Sequence, residues 1–117
     1  MNIIDLSVFK KEDLVIKSLT GEAYRIPGNF STEFYINLYD AYNKVQKLTK
    51  KDFSQAVKAM KDIALEIIKL DKSKNPTIET IEEQFDDMTV LQLLIGEMMK
   101  YADEVTNDPN SQSPTSK

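Results

Sequence analysis

The sequence predicts a mainly α (α+β) fold: a small helical bundle of three longer helices and one short helix, with an N-terminal β-hairpin. Two observations predict the helices. Apolar residues recur every three to four positions between residues 31 and 103, and capping residues precede each periodic stretch. A third observation predicts the hairpin, because β-branched and aromatic residues flank the Thr20-Gly21 pair. A chain of 117 residues suits one domain.

The N-terminal part of the chain contains an apolar segment followed by the hairpin. We expect residues 1–12 to form an extended arm or a short turn that tucks onto the core. The hairpin is predicted over about residues 13–27, with Gly21 supplying the positive φ of its turn. Tyr24 and Ile26 share one face of the second strand. Because a lone hairpin is marginally stable, this face should lie on the helices or pair with another chain.

The first long helix is predicted to begin at a cap, Ser31 or Thr32, and to run to about residue 48. An apolar stripe on it comprises Phe34, Leu38, Ala41, Val45 and Leu48. A second stripe beside it comprises Tyr35, Tyr39 and Tyr42. This tyrosine stripe fits a bundle core whose phenol groups reach solvent. It fits an interface equally well, because tyrosine is enriched at interface hot spots.

The remaining chain up to the last helix contains one long and one short helix. The second long helix is predicted from about residue 52 to residue 70, with Thr49 as its cap and one apolar face. Asn75-Pro76 marks a loop, after which Thr77 caps a short acidic helix over about residues 78–85. Because the composition becomes polar from residue 105 onward, the domain is predicted to span 1–104 and residues 105–117 to form a disordered tail.

The last helix, predicted from a cap at Thr89 to Asp103, is the most apolar segment of the chain. Its apolar positions cover roughly two-thirds of its circumference, whereas packing on one side needs a stripe of about 100°. The rest of the domain is expected to cover Val90, Leu91, Leu94 and Met98. Leu93 and Met99 are expected to point outward. This helix is therefore either central in the bundle or offers a face to another chain.

The composition excludes several kinds of chemistry. The chain has no cysteine and no histidine, so it lacks disulfides, thiolate metal sites and the commonest general base and zinc ligand. A net charge of −4 gives no global case for nucleic-acid binding. No apolar run approaches the roughly 18 residues of a membrane span, and the N-terminus does not resemble a signal peptide.

Two local charge clusters have alternative interpretations. The acidic residues Glu79, Glu82, Glu83, Asp86 and Asp87 do not match a calcium-binding loop, and we interpret them as a solvated helix face. The basic residues are Lys44, Lys47, Lys50, Lys51 and Lys58. Interleaved aspartates favour a solubilising surface for them over a nucleic-acid-binding one. Nothing supplies a nucleophile or an oxyanion donor, so we predict no enzymatic activity and no catalytic, cofactor-binding or metal-ligating residue.

The order of the parts carries a family resemblance. Ile4-Asp5-Leu6 leads into a hairpin that ends in Tyr24-Arg25-Ile26-Pro27-Gly28. A helix with Phe34 and Leu38, a loop with Asn75-Pro76-Thr77 and a last helix opening Met88-Thr89-Val90-Leu91-Gln92-Leu93 follow. Over about residues 3–103 the chain resembles the tail assembly chaperones of long-tailed (siphovirus-type) phages and prophages of Gram-positive bacteria.

The resemblance implies a non-enzymatic protein that binds and solubilises the tape measure protein during tail assembly. Such a chaperone acts in the cytoplasm of the bacterial host and is absent from the mature virion. The family often makes a longer, frameshifted form that recruits the tail tube protein, and the polar segment 113–117 fits the end of a shorter product or a linker. Neither a nucleic acid nor a membrane is an expected partner, and homo-oligomerisation stays open.

We hypothesise that the partner-binding residues, which contact the tape measure protein or neighbouring copies, are Tyr35, Tyr39, Tyr42, Leu93 and Met99. Amphipathic helices dock in apolar grooves through residues at helical spacing, which is the kind of surface these residues would form. The alternative is another small protein-interaction module, such as a virion adaptor or a regulator of a mobile element. A nucleic-acid-binding regulator is favoured only by the lysine cluster.

Overall fold

The chain folds into a two-stranded antiparallel hairpin followed by four α-helices in the part that the computed structural model describes, residues 1–47 and 50–106, with side chains described up to residue 103. The predicted mainly α class with an N-terminal hairpin is confirmed. A 3₁₀ turn covers Leu6–Phe9. The strands are β1 (Leu14–Lys17) and β2 (Ala23–Ile26). The helices are α1 (Thr32–Gln46), α2 (Phe53–Lys69), α3 (Ile78–Gln84) and α4 (Met88–Thr106).

The hairpin packs on the helices through one face of β2. The strands pair in a register that sets Leu14 opposite Ile26, and Gly21 in the turn has a φ of 89°. Tyr24 and Ile26 are buried, as the alternation of the strand predicts. The Tyr24 ring lies 6.1 Å from that of Phe85 at the end of α3. The hairpin therefore gains its stability from the helical core.

Helix α2 is the element that contacts every other layer of the domain. It packs against α1, α3, α4 and β2. One face of it is buried, comprising Ala56, Met60, Ile63, Ala64, Ile67 and Ile68. Helices α1 and α4 lie beside it. They run antiparallel, since the residue just before α1 meets the end of α4: the Phe30 ring lies 6.1 Å from that of Tyr101.

The inner face of α4 comprises Leu91, Ile95, Met98, Met99 and Ala102. The expectation that Met99 points outward is wrong, since its side chain is only 6% exposed. Met99 stands four residues after Ile95 and eight after Leu91, so it falls on the same side of the helix. Leu93 does point outward and is 60% exposed. The wide apolar arc of α4 is thus largely, but not wholly, covered within one chain.

The ends of α4 differ from the predicted ones. The helix begins at Met88, and the side chain of Asp87 accepts a hydrogen bond of 3.0 Å from the backbone N–H of Val90. The predicted cap at Thr89 is therefore wrong, because Asp87 occupies that role. The helix continues to Thr106, two residues into the predicted tail, and residues 107–117 of that tail lie outside the described residues. The predicted cap Thr49 and Leu48 also lie outside them.

The N-terminal segment contains a short turn, one of the two expected forms, but its apolar side chains do not tuck onto the core, and that part of the expectation is wrong. The side chains of Ile3, Ile4, Leu6, Val8 and Phe9 are between 44% and 85% exposed. Other aromatic residues pack the nearby end of the α1–α4 layer. Phe30 packs edge-on against Phe34, with ring centroids 5.1 Å apart, and it also packs against Tyr101.

Candidate partner-binding surface

A groove of about 440 Å³ lies on the surface between α1 and α4. We call it the α1–α4 groove, and its lining comprises Tyr42, Val45, Gln46, Gln92, Leu93, Gly96, Glu97 and Lys100. Its open space lies over Gly96. A Cβ atom built on Gly96 would meet no neighbouring atom within 4 Å, so no side chain or backbone closes the space there.

The exposed part of the tyrosine stripe extends the groove along α1. Tyr42 is half-buried in the groove lining, and Tyr39 and Tyr35 follow at intervals of three and four residues toward the N-terminus of α1. Tyr39 is 49% exposed and Tyr35 is 37% exposed. Residues at this spacing share one flank of a helix. The stripe and the groove therefore form one surface, apolar at its centre and bearing phenol groups at its edge.

The structure brings together four of the five residues that the sequence proposed for partner binding. Tyr42 and Leu93 line the same groove from opposite helices, and Tyr35 and Tyr39 extend it. Met99 is inside the core and does not belong to this surface. Gly96, the open part of the groove, is not among those five residues. As a glycine inside an apolar helix it fits either close approach of a neighbouring helix or simple tolerance at a cost of about 1 kcal/mol relative to alanine, and the structure places open space there instead.

The charges around the groove are few and paired. On its rim the ammonium group of Lys100 lies 3.2 Å from the Glu97 carboxylate. Both side chains are exposed, so this pair contributes little to stability. The centre of the surface is apolar, which suits the burial of a partner's apolar side chains.

The lysine cluster lies elsewhere and is mixed with acidic groups. A second hollow, on the other flank of α1, is lined by Asp40, Lys44, Lys47 and Asp52 among others. Lys58 forms an ion pair of 3.2 Å with Asp62. Because charges of both signs alternate here, the geometry favours a solvated surface over a track for a nucleic-acid backbone.

Two residues of the acidic cluster, Glu82 of α3 and Asp86 just after it, contact α2. Lys61 reaches Asp86 at 3.3 Å and Glu82 at 3.9 Å, and these contacts tie the two helices together. Over the described part of the chain, no group of three or more histidine, cysteine, aspartate or glutamate residues is placed to hold a metal ion. Over the same residues, no helix combines the length and the apolar character that crossing a membrane requires.

One buried carboxylate, that of Asp71, has a structural explanation. It accepts hydrogen bonds from the Ser73 hydroxyl at 2.6 Å, the Arg25 backbone N–H at 2.8 Å and the Ser73 backbone N–H at 3.0 Å. The Ser73 hydroxyl, followed by the Arg25 and Ser73 amides, lowers the pKa of Asp71 below its ordinary value. Asp71 thereby joins the free edge of β2 to the loop after α2, and it lies away from the groove.

Comparison of the chain with protein-family models, with curated proteins and with solved structures gave no match.

Proposed function

We propose that the protein is a phage tail assembly chaperone that binds helical segments of the tape measure protein, without enzymatic activity. The observation that carries this proposal is the open α1–α4 groove over Gly96, continued along α1 by the exposed rings of Tyr39 and Tyr35. An aromatic and aliphatic surface of this kind suits the apolar face of an amphipathic helix.

The dimensions of the groove indicate how such a helix would bind. A space of about 440 Å³ holds a few side chains and is too small for a whole helix. Apolar side chains at positions i, i+3 and i+4 of the partner would enter the groove beside Leu93 and Val45, while the partner's backbone stays above it. Tyr35 and Tyr39 would then cover the flank of the bound helix at a low cost in side-chain entropy.

A single groove of this size supports only weak binding, which suits the proposed task. Many copies along one long partner would give high total affinity from weak individual contacts. Weak contacts would also let the tail tube protein displace the chaperone during assembly, with a longer form of the chain as the proposed contact to the tube. The proposed setting is the host cytoplasm, with the protein absent from mature particles.

The proposal is tested by co-expression with the tape measure protein encoded by the same phage or prophage. The measurement is the amount of soluble tape measure protein that co-purifies with the tagged chain. Tyr39→Glu and Leu93→Glu should each lower that amount at least tenfold, because a carboxylate would be buried against an apolar partner. Val15→Glu is the matched control, since Val15 is exposed on β1, outside the groove lining and away from α1. Equal recovery with all three variants would refute the proposal.

The alternative of a virion adaptor makes a different prediction for purified particles. An adaptor stays in the particle, whereas an assembly chaperone leaves before the tail is complete. Immunodetection of the chain in purified virions at a fixed copy number would favour the adaptor. Salt-dependent binding to duplex DNA would favour a regulator.

A further inference from the structure

The N-terminal arm, which we define as residues 1–9, is an exposed apolar segment. Its exposed apolar side chains are Met1, Ile3, Ile4, Leu6, Val8 and Phe9. None of them belongs to the hydrophobic core or to the side chains packed against it. Soluble monomers rarely expose a contiguous apolar patch of this kind unless it binds something.

The base of the arm is fastened to the body of the domain. The side-chain amide of Asn29 donates to the carbonyl oxygen of Phe9 at 3.1 Å and accepts from the backbone N–H of Lys11 at 2.8 Å. The Lys11 ammonium donates to the carbonyl oxygen of Tyr101 at 2.6 Å and lies 3.9 Å from the centre of its ring. The arm therefore leaves the domain at a fixed place, beside the start of α1 and the end of α4.

The arm also has internal structure. Residues Leu6–Phe9 form a 3₁₀ turn, and the Asp5 carboxylate caps it by accepting from the Ser7 backbone N–H at 3.0 Å and the Ser7 hydroxyl at 2.6 Å. A fastened, locally ordered and apolar segment has the properties of a docking element, because part of the ordering cost of binding is already met.

We propose that the arm of one copy binds in the α1–α4 groove of a second copy, so that the protein self-associates by exchange of arms. The same chain presents an unpartnered apolar segment and an unpartnered groove with apolar side chains, Val45 and Leu93, on both walls.

The dimensions and the anchor point of the arm favour a second copy over the arm's own groove. Nine residues reach at most about 30 Å, while α1 from Tyr35 to Gln46 spans about 16 Å, so an arm can cover the whole surface. The groove lies along the second half of α1, whereas the arm is fastened at Asn29 before α1 begins. An arm bound in its own groove would leave the protein monomeric, so the mass in solution distinguishes it from an arm bound in a second copy.

Arm exchange would also regulate the proposed function, and this consequence alone rests on that function. An arm in the groove would shield it until a tape measure helix displaces the arm. Self-association itself requires no assumption about the partner.

The test uses the full chain and sedimentation equilibrium over a series from micromolar to millimolar concentration. The wild-type mass should rise above that of the monomer. The arm variant Ile4→Glu/Leu6→Glu and the groove variant Gly96→Leu should each weaken self-association at least tenfold. Val15→Glu is the matched control, because Val15 is also apolar and is 53% exposed on β1, outside both features. If circular dichroism shows that Gly96→Leu does not fold, Leu93→Glu serves as the second groove variant.

A mixture of the two variants provides the decisive measurement. The arm variant keeps an intact groove and the groove variant keeps an intact arm, so the mixture should recover a heterologous complex that neither variant forms alone. A wild-type chain that stays monomeric throughout, or a mixture that stays monomeric, would overturn the proposal. The arm variant should still co-purify with the tape measure protein, so loss of self-association and loss of the proposed function are separately visible.

Discussion

At the scale of single residues, Asp71 is the one buried charged side chain of the described core, and its three hydrogen bonds decide how it behaves. Three donors satisfy a carboxylate that would otherwise be costly to bury. Because they stabilise the charged form, the pKa of Asp71 in the folded chain lies below the ordinary value of 3.8. The bonds therefore stabilise the fold only where Asp71 is ionised.

This linkage gives a prediction for pH dependence. Above pH 3.8 the stabilisation by Asp71 is fully present, and it is lost as the pH falls from 3.8 through the lowered pKa of the folded state. Asp71→Asn should lower the melting temperature by several degrees at pH 7, because an amide N–H₂ group would face the N–H of Arg25 or Ser73. The difference from the wild type should shrink at pH 3. Thermal unfolding, followed by circular dichroism at pH 7 and at pH 3, measures this difference in melting temperature.

The control for this prediction is Asp13→Asn. Asp13 forms an exposed ion pair of 3.5 Å with Arg25, so its loss should change the melting temperature little at either pH. A difference between wild type and Asp71→Asn that is equally large at pH 7 and pH 3 would contradict the linkage.

At the scale of elements, the residue that caps α4 in the structure differs from the one that the sequence pattern predicted. Asp87 caps the helix, whereas Thr89 lies inside its first turn and is exposed. Asp87→Ala should therefore destabilise the protein by about 1 kcal/mol, the typical loss for a capping side chain. Thr89→Ala should be nearly neutral or slightly stabilising, because alanine is the better helix former. Urea unfolding of the two variants measures the difference, and a larger loss with Thr89→Ala would assign the cap to Thr89 instead.

The sequence predicted those elements whose signals are local. The spacing of apolar residues placed the helices, and Gly21 with its flanking strands placed the hairpin and the buried face of Tyr24 and Ile26. These features depend on the period of the backbone and on the conformational freedom of glycine, which neighbours in sequence determine.

The candidate surface could be predicted only in part, because it depends on how the helices are placed. Wide apolar arcs on α1 and α4 indicated more apolar surface than one packing contact covers. Which side of each helix stays uncovered depends on where α2 and the other of these two helices lie. Met99 and Leu93 were both expected to point outward, but packing buries Met99 and leaves Leu93 exposed. The opening over Gly96 likewise depends on how two helices are placed, and the exposure of the N-terminal arm depends on which residues pack against the core.

At the scale of the whole molecule, the hairpin and the helices share one core, and the arm stands outside it. Ile26 from β2 is buried in the same cluster as Ile67 of α2 and Phe85 after α3. The phenol of Tyr24 donates a hydrogen bond of 2.7 Å to Gln84 of α3. A two-stranded hairpin has too little surface to be stable alone, so it should unfold together with the helices.

This arrangement predicts one cooperative transition whose midpoint depends on the hairpin and not on the arm. Ile26→Ala should lower the free energy of unfolding by about 2–5 kcal/mol, because it leaves a cavity at a fully buried site. Ile4→Glu/Leu6→Glu should change it by less than about 0.5 kcal/mol at micromolar concentration, where arm exchange contributes little. Urea unfolding is followed by far-ultraviolet circular dichroism for the helices and by hydrogen exchange of the backbone amides of β1 and β2 for the hairpin. If Ile26→Ala left the helical transition in place and raised only the exchange of the strand amides, the hairpin would be an independent unit, and the shared core would not explain why it folds.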